Sequence, residues 1–139
     1  MIDRKTLKAE QIRAIDHNTG SIIVSASAGS GKTMVMIERL IRLIAENKAK
    51  VTDVLAVTFT EKAASEMKEK LRKALTEKIN KDKDYRLSAQ LSDISSADIC
   101  TIDSFCARLV RTYFYKAGVS GDFSVADANF ADKLKNEAI

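Results

Sequence analysis

Apolar residues along this chain alternate between two spacings, and the changes of spacing mark out its elements. Near the N-terminus Leu7, Ile12 and Ile15 form a partial apolar face at helical spacing, with Thr6 placed to cap it, so residues 6–15 read as a short helix. A turn follows at 18–20, and the β-branched run Ile22, Ile23 and Val24 then reads as a buried strand. From Lys32 the spacing lengthens again. Val35, Ile37, Leu40, Ile41, Leu43 and Ile44 make a wide stripe with Glu38, Arg39 and Arg42 off it, which predicts a well-buried amphipathic helix ending in the polar run 46–50.

Residues 51–58, β-branched and bounded by polar positions, predict a second strand. A helix from about residue 62 carries Ala64, Met67, Leu71, Ala74, Leu75 and Ile79 on one face and runs out at 80–84; the dense charge elsewhere on it reads as a solvated face. Residues 85–96 fit a short helix and a loop, 97–102 a third strand, and 104–116 a helix carrying Phe105, Leu109, Val110 and Phe114, broken by Gly118 and Gly121. A short extended piece at 123–127 and a last helix over 129–139 complete the order. Helices alternating with strands predict an α/β fold in which parallel strands are joined by crossover helices.

The junction before Lys32 carries chemistry. Ala26, Ser27, Ala28, Gly29, Ser30 and Gly31 are all small, and Lys32 and Thr33 open the helix that follows. Strand, Gly-rich turn and helix in that order are the setting of a phosphate-binding loop. With few β-carbons in the way, backbone N–H groups can turn toward a polyphosphate, and the helix N-terminus adds its unpaired N–H groups and partial positive charge. Lys32 would reach the β- and γ-phosphates and the Thr33 hydroxyl would ligate Mg²⁺. The general pattern has Gly where Ala26 stands.

Composition narrows the class. At 139 residues the chain has room for one domain with a single core, and 45% hydrophobic with 30% charged residues fits neither a disordered nor a membrane-spanning chain. No apolar run approaches the roughly 20 residues of a membrane helix, and the first residues lack the apolar core of a signal peptide. Cys100 and Cys106 lie too far apart for a CxxC pair and have no His beside them, so they are expected to be buried thiols in a reducing compartment, and the protein is expected to be cytoplasmic. The net charge of +4 permits nucleic-acid binding without demonstrating it. His17, beside a turn, reads as solvated rather than catalytic.

Three stretches together carry a resemblance. They are Leu7, Lys8, Ala9, Glu10 and Gln11; the loop from Ala26 to Thr33; and the segment around Thr58, Phe59, Thr60, Glu61, Lys62, Ala63 and Ala64. In this combination the chain resembles the first RecA-like domain of superfamily 1 helicases of the UvrD/PcrA/Rep kind, a family whose phosphate loop commonly begins with Ala. Thr101, Ile102, Asp103, Ser104, Phe105 and Cys106, with Asp122 to Asp127 after them, are most similar to the AddA group, the helicase–nuclease subunits of double-strand-break resection enzymes related to RecB.

The resemblance implies an ATP-dependent DNA helicase with exonuclease activity acting at DNA ends in recombinational repair, using ATP and Mg²⁺ and working with an AddB-like partner subunit. It implies that residues 1–127 are the front part of a P-loop, RecA-like motor domain and that 128–139 begin an inserted helical subdomain. Lys32 and Thr33 would be catalytic, with Ala26, Ser27, Ala28, Gly29, Ser30 and Gly31 around the phosphates. Gln11 would read adenine, since an amide both donates and accepts at the N6/N7 edge; without the family it reads as a surface Gln. Phe59, Thr60 and Lys62 would hold single-stranded DNA, the ring stacking on a base of any identity; a core ring is the alternative for Phe59. Thr101, Asp103, Ser104 and Phe105 match a second DNA-contacting segment. The family commonly has His where Asp103 stands, and a carboxylate there would repel phosphate, so Asp103 is expected to orient neighbours or meet a base edge.

A superfamily 1 ATPase also needs a strand ending in an acidic pair and arginine fingers from a second RecA-like domain. No two acidic residues are adjacent anywhere in this sequence. The chain is therefore expected to be part of a motor domain and inactive by itself. A stand-alone P-loop nucleotide-binding module and a UvrD/Rep-type helicase without a nuclease are the alternative readings.

Overall fold

The computed structural model describes residues 4–27, 29–126 and 128–137. They form two compact units, Met1–Ile102 and Asp103–Ile139. The first contains α1 (Ala9–Asp16), α2 (Lys32–Ala45), β1 (Leu55–Thr58), α3 (Glu61–Asp82), α4 (Leu87–Ser92) and β2 (Asp98–Thr101), with 3-10 turns at Arg4–Thr6, Val51–Asp53 and Asp93–Ser96. β1 and β2 pair in parallel, Leu55 opposite Asp98 through Thr58 opposite Thr101. An α/β unit with a small parallel sheet is thus present.

The core lies where the sequence periods place it. Ile37, Ile41 and Ile44 of α2 pack with Met67, Leu71, Leu75 and Ile79 of α3, and Val51, Leu87, Ile94 and Ile99 close the cluster. On α3 every predicted apolar position is buried except Ala74, which is half-buried. A smaller cluster joins Ala14 and Ile15 of α1 to Val35 of α2. The same two helices are tied by Arg39, whose Nη1 donates to the Ala14 carbonyl at 3.0 Å and to the His17 carbonyl.

Several expectations need correction. Residues 22–24 belong to no sheet among the described residues, and Ile23 is 95% exposed. A β-branched run becomes a strand only when a neighbour takes its backbone N–H and C=O groups, and β1 and β2 pair with each other instead. The strand expected over 51–58 begins only at Leu55. The Asp53 carboxylate accepts the Lys50 N–H at 2.9 Å and the Gln90 amide oxygen accepts the Val51 N–H at 2.8 Å, so the start is drawn into a 3-10 turn. The N-cap of α1 is Lys8, not Thr6, which lies in the preceding 3-10 turn. His17 is half-buried at the end of α1 rather than solvated.

The second unit carries most of α5 (Ile102–Thr112), then α6 (Phe114–Ala117) and α7 (Ala128–Glu137). The single helix expected over 104–116 is split at Tyr113, and Gly118, at φ +68°, ends α6 in the left-handed conformation that glycine adopts without strain. Residues 123–126 form no strand, and Asp127 lies outside the described residues. The thiols depart from expectation too. Cys106 is exposed on α5, a helix with no buried residue, and Cys100 is half-buried because the alternating face of β2 buries Ile99 and Thr101 instead.

Candidate functional site

The loop before α2 takes its shape from two glycines. Gly29 and Gly31 have φ of +75° and +86°, a region costly for any residue with a β-carbon. Gly31 is also the N-cap of α2, and a β-carbon there would stand 3.2 Å from Met34 Cε and 3.4 Å from Gln11 Nε2. The glycine therefore lets Gln11 close on the loop. The Gln11 Nε2 donates to the Ser30 carbonyl at 3.2 Å while its Oε1 accepts the Lys8 N–H at 2.9 Å. One amide thus both starts α1 and fastens it to the loop.

Lys32 turns back over the same loop. Its Nζ donates to the carbonyls of Ala26 at 2.6 Å and Ser27 at 2.7 Å. The ammonium is therefore held at the mouth of the helix N-terminus, where by helix geometry the first N–H groups have no intrahelical acceptor. Thr33 is exposed in the first turn of α2. Ala28 lies outside the described residues. A lysine ammonium, glycine-shaped backbone and a helix N-terminus in one place suit a polyphosphate, and Thr33 adds a hydroxyl suited to Mg²⁺. Among the described residues no group of three or more His, Cys, Asp or Glu could hold a metal ion.

Lys32 lines several cavities, of which two bear on the loop. One of about 200 Å³ reaches Gln11, Ala14 and Val24. The other, of about 750 Å³, extends from Gly29, Gly31 and Thr33 to Lys70, Lys73 and Glu77 on α3. By sequence alone those α3 charges read as a solvated face. Their step of three and four residues is legible there; that the step runs beside the loop depends on how α3 packs against α2.

A second group of side chains gathers at the C-terminal ends of β1 and β2. Phe59 is 92% exposed, so its ring joins no core among the described residues. Thr60 caps α3, its hydroxyl accepting the Ala63 N–H at 3.1 Å, and the Thr58 hydroxyl donates to the Thr60 carbonyl at 2.9 Å. Lys62 is exposed in the first turn of α3. Thr101, by contrast, is only 7% exposed, and its hydroxyl donates to Glu61 Oε1 at 3.1 Å. Nothing in the sequence singles out Glu61; its distance along the chain from Thr101 hides a contact made by the parallel pairing of two strands.

Asp103, Ser104 and Phe105 lie on α5 in the second unit. The two polar residues are exposed, and Phe105 is half-buried with the Arg108 guanidinium 5.6 Å from its ring centroid. No helix among the described residues is long and apolar enough to cross a membrane.

Comparison with known proteins adds a family. A model for the UvrD/REP helicase N-terminal domain matches residues 7–139. Among curated proteins, a subunit of the ATP-dependent helicase/nuclease of Pediococcus pentosaceus is 44% identical over 97% of this chain. The corresponding subunits of Streptococcus suis and Acetivibrio thermocellus are 45% and 38% identical over 93% and 100% of it. The chain spans 11% of the length of each of these relatives.

Proposed function

Because the chain belongs to the UvrD/REP helicase N-terminal domain family, we propose that it forms the front part of the ATP-driven motor of a cytoplasmic DNA helicase–nuclease of the AddA kind. The motor would have a P-loop, RecA-like fold, with residues 1–127 in its first domain and 128–139 opening an inserted helical subdomain. The full-length protein would process double-strand DNA ends for recombinational repair, together with a partner like AddB. The observation that carries the nucleotide half of this reading is the left-handed pair Gly29 and Gly31 with Lys32 folded onto the loop between them and Ala26.

In this reading Lys32 exchanges the carbonyls of Ala26 and Ser27 for the β- and γ-phosphate oxygens of ATP, a charge-assisted bond replacing neutral ones. The N–H groups of the α2 first turn and of Ser27, Ala28, Gly29, Ser30 and Gly31 take the remaining oxygens, and Thr33 holds Mg²⁺. Gln11 turns its amide to the adenine edge. Magnesium supplies neutralisation of the phosphate charge when bound. The water-activating carboxylate and the arginine fingers come from elsewhere in the full-length protein, so the 139-residue chain purified alone is expected to bind nucleotide weakly and to show no DNA-stimulated phosphate release. Steady release from it would require a water-activating carboxylate within the chain.

Phe59, Thr60 and Lys62 contact single-stranded DNA in this reading, and Thr101, Asp103, Ser104 and Phe105 belong to a second DNA-contacting segment. A stacked base and a paired phosphate respond differently to salt, which gives the test. In the full-length protein Phe59→Ala is expected to weaken single-strand binding by about 1–3 kcal/mol with little change in salt dependence. Lys62→Ala is expected to lower the salt slope by somewhat under one unit. Titration of a fluorescent oligonucleotide at several salt concentrations separates the two. An unchanged affinity for Phe59→Ala, in a protein that melts normally, would remove the stacking contact.

A further inference from the structure

We propose that Glu61 is a positioning residue for single-stranded DNA: through its bond to Thr101 it holds Phe59 out from the sheet in the geometry that a base stacks on. This inference rests on the single-strand reading above and adds to it a residue that does not itself touch the strand.

The geometry is a closed ring. Thr58 and Thr101 are the last residues of β1 and β2 and lie opposite each other in the parallel register. Glu61, three residues beyond Thr58, opens α3 and accepts the Thr101 hydroxyl at 3.1 Å. The chain from Thr58 to Glu61 is therefore pinned at both ends to β2. Inside that ring the Thr58 hydroxyl donates to the Thr60 carbonyl, and the Thr60 hydroxyl accepts the Ala63 N–H from the first turn of α3. What remains unpacked is the ring of Phe59, 92% exposed. An exposed aromatic on a segment fixed at both ends loses little conformational freedom when a base stacks on it, and that saving appears as affinity.

Charge makes the proposal testable by sign. Glu61 puts a carboxylate one residue from Thr60 and Lys62, where a polyanion would run. If Glu61 acted only through charge, removing it would tighten DNA binding, as any loss of like charge beside phosphates does. If it acts through Thr101, removing it loosens the ring and binding weakens.

The experiment titrates a fluorescent oligothymidine onto the full-length protein carrying Glu61→Ala, Glu61→Gln, Thr101→Val or Glu61→Ala with Thr101→Val, beside Phe59→Ala. Losing one hydrogen bond of ordinary net worth, Glu61→Ala and the near-isosteric Thr101→Val should each weaken binding about fivefold. The double variant should weaken it by less than the product of the two single effects, because the Thr101–Glu61 bond is lost in both. Glu61→Gln, which keeps an acceptor and drops the charge, should bind within about twofold of the parent or tighter. Affinity for a fluorescent ATP analogue should stay unchanged throughout. Tighter binding by Glu61→Ala, equal weakening by Glu61→Gln and Glu61→Ala, or a parallel loss of nucleotide affinity and melting temperature would each overturn the proposal. Should Phe59→Ala bind as the parent does, the single-strand reading falls and this inference with it; should only the Glu61 and Thr101 arms fail, the stacking contact stands and Glu61 is a bystander.

Discussion

Lys32→Ala in the full-length protein is expected to lower ATP hydrolysis, and with it DNA unwinding, by about a hundredfold or more, on the order of 3 kcal/mol of lost transition-state stabilisation. The effect should be that large because Lys32 has two tasks in one place. Its ammonium, already bonded to the loop, would meet the charge that develops on the transferred phosphoryl group. It also bridges the carbonyls of Ala26 and Ser27, at 2.6 and 2.7 Å, and so holds the backbone of the loop together before nucleotide arrives. Truncation removes the charge and the bridge at once. Steady-state phosphate release measured with saturating DNA checks the expectation, and near-normal turnover would end the phosphate-loop reading of residues 26–33.

The second large effect concerns the scaffold under that loop. Leu71 is fully buried between α2 and α3, in the cluster that includes Ile41 and Leu75. Leu71→Ala should destabilise the chain by about 2–5 kcal/mol, since the lost transfer energy of the side chain is joined by the cost of a cavity that helices in mutual contact cannot fully close. Ile23→Ala removes a comparable side chain from a position 95% exposed, and should change stability by no more than about 0.5 kcal/mol. Urea denaturation of the two variants beside the parent gives the comparison directly. Equal losses would mean that residues 22–24 are packed, against the exposure of Ile23.

These two sites also show how differently parts of the molecule can be read in advance. The core face of α3 is legible because a 22-residue helix repeats its instruction: Ala64, Met67, Leu71, Leu75 and Ile79 recur at helical spacing, and every one is buried. The start of α2 is legible because Gly29 and Gly31 sit where the backbone needs positive φ, a demand that a residue type meets locally. The run 22–24 misleads for the opposite reason. Three β-branched residues state a preference, but a strand is a relation between two segments, and the only pairing among the described residues is that of β1 with β2.

The sequence by itself therefore determined what depends on neighbours a few residues away: the helical faces of α2 and α3, the glycine-shaped turn before Lys32, and the family likeness carried by the stretches around Gln11, Lys32 and Phe59. Tertiary structure decided what depends on segments far apart along the chain. It set the Gln11 amide against Ser30, 19 residues on, and the buried Thr101 hydroxyl against Glu61, 40 residues before it. It also brought Lys70 and Lys73 beside the loop, and left Ile23 exposed while Ile99 went into the core. The physical reason is that hydrogen bonds and burial are properties of pairs and of packed faces. A residue's type says which partners it can accept, and only the folded path of the backbone says which of them arrive.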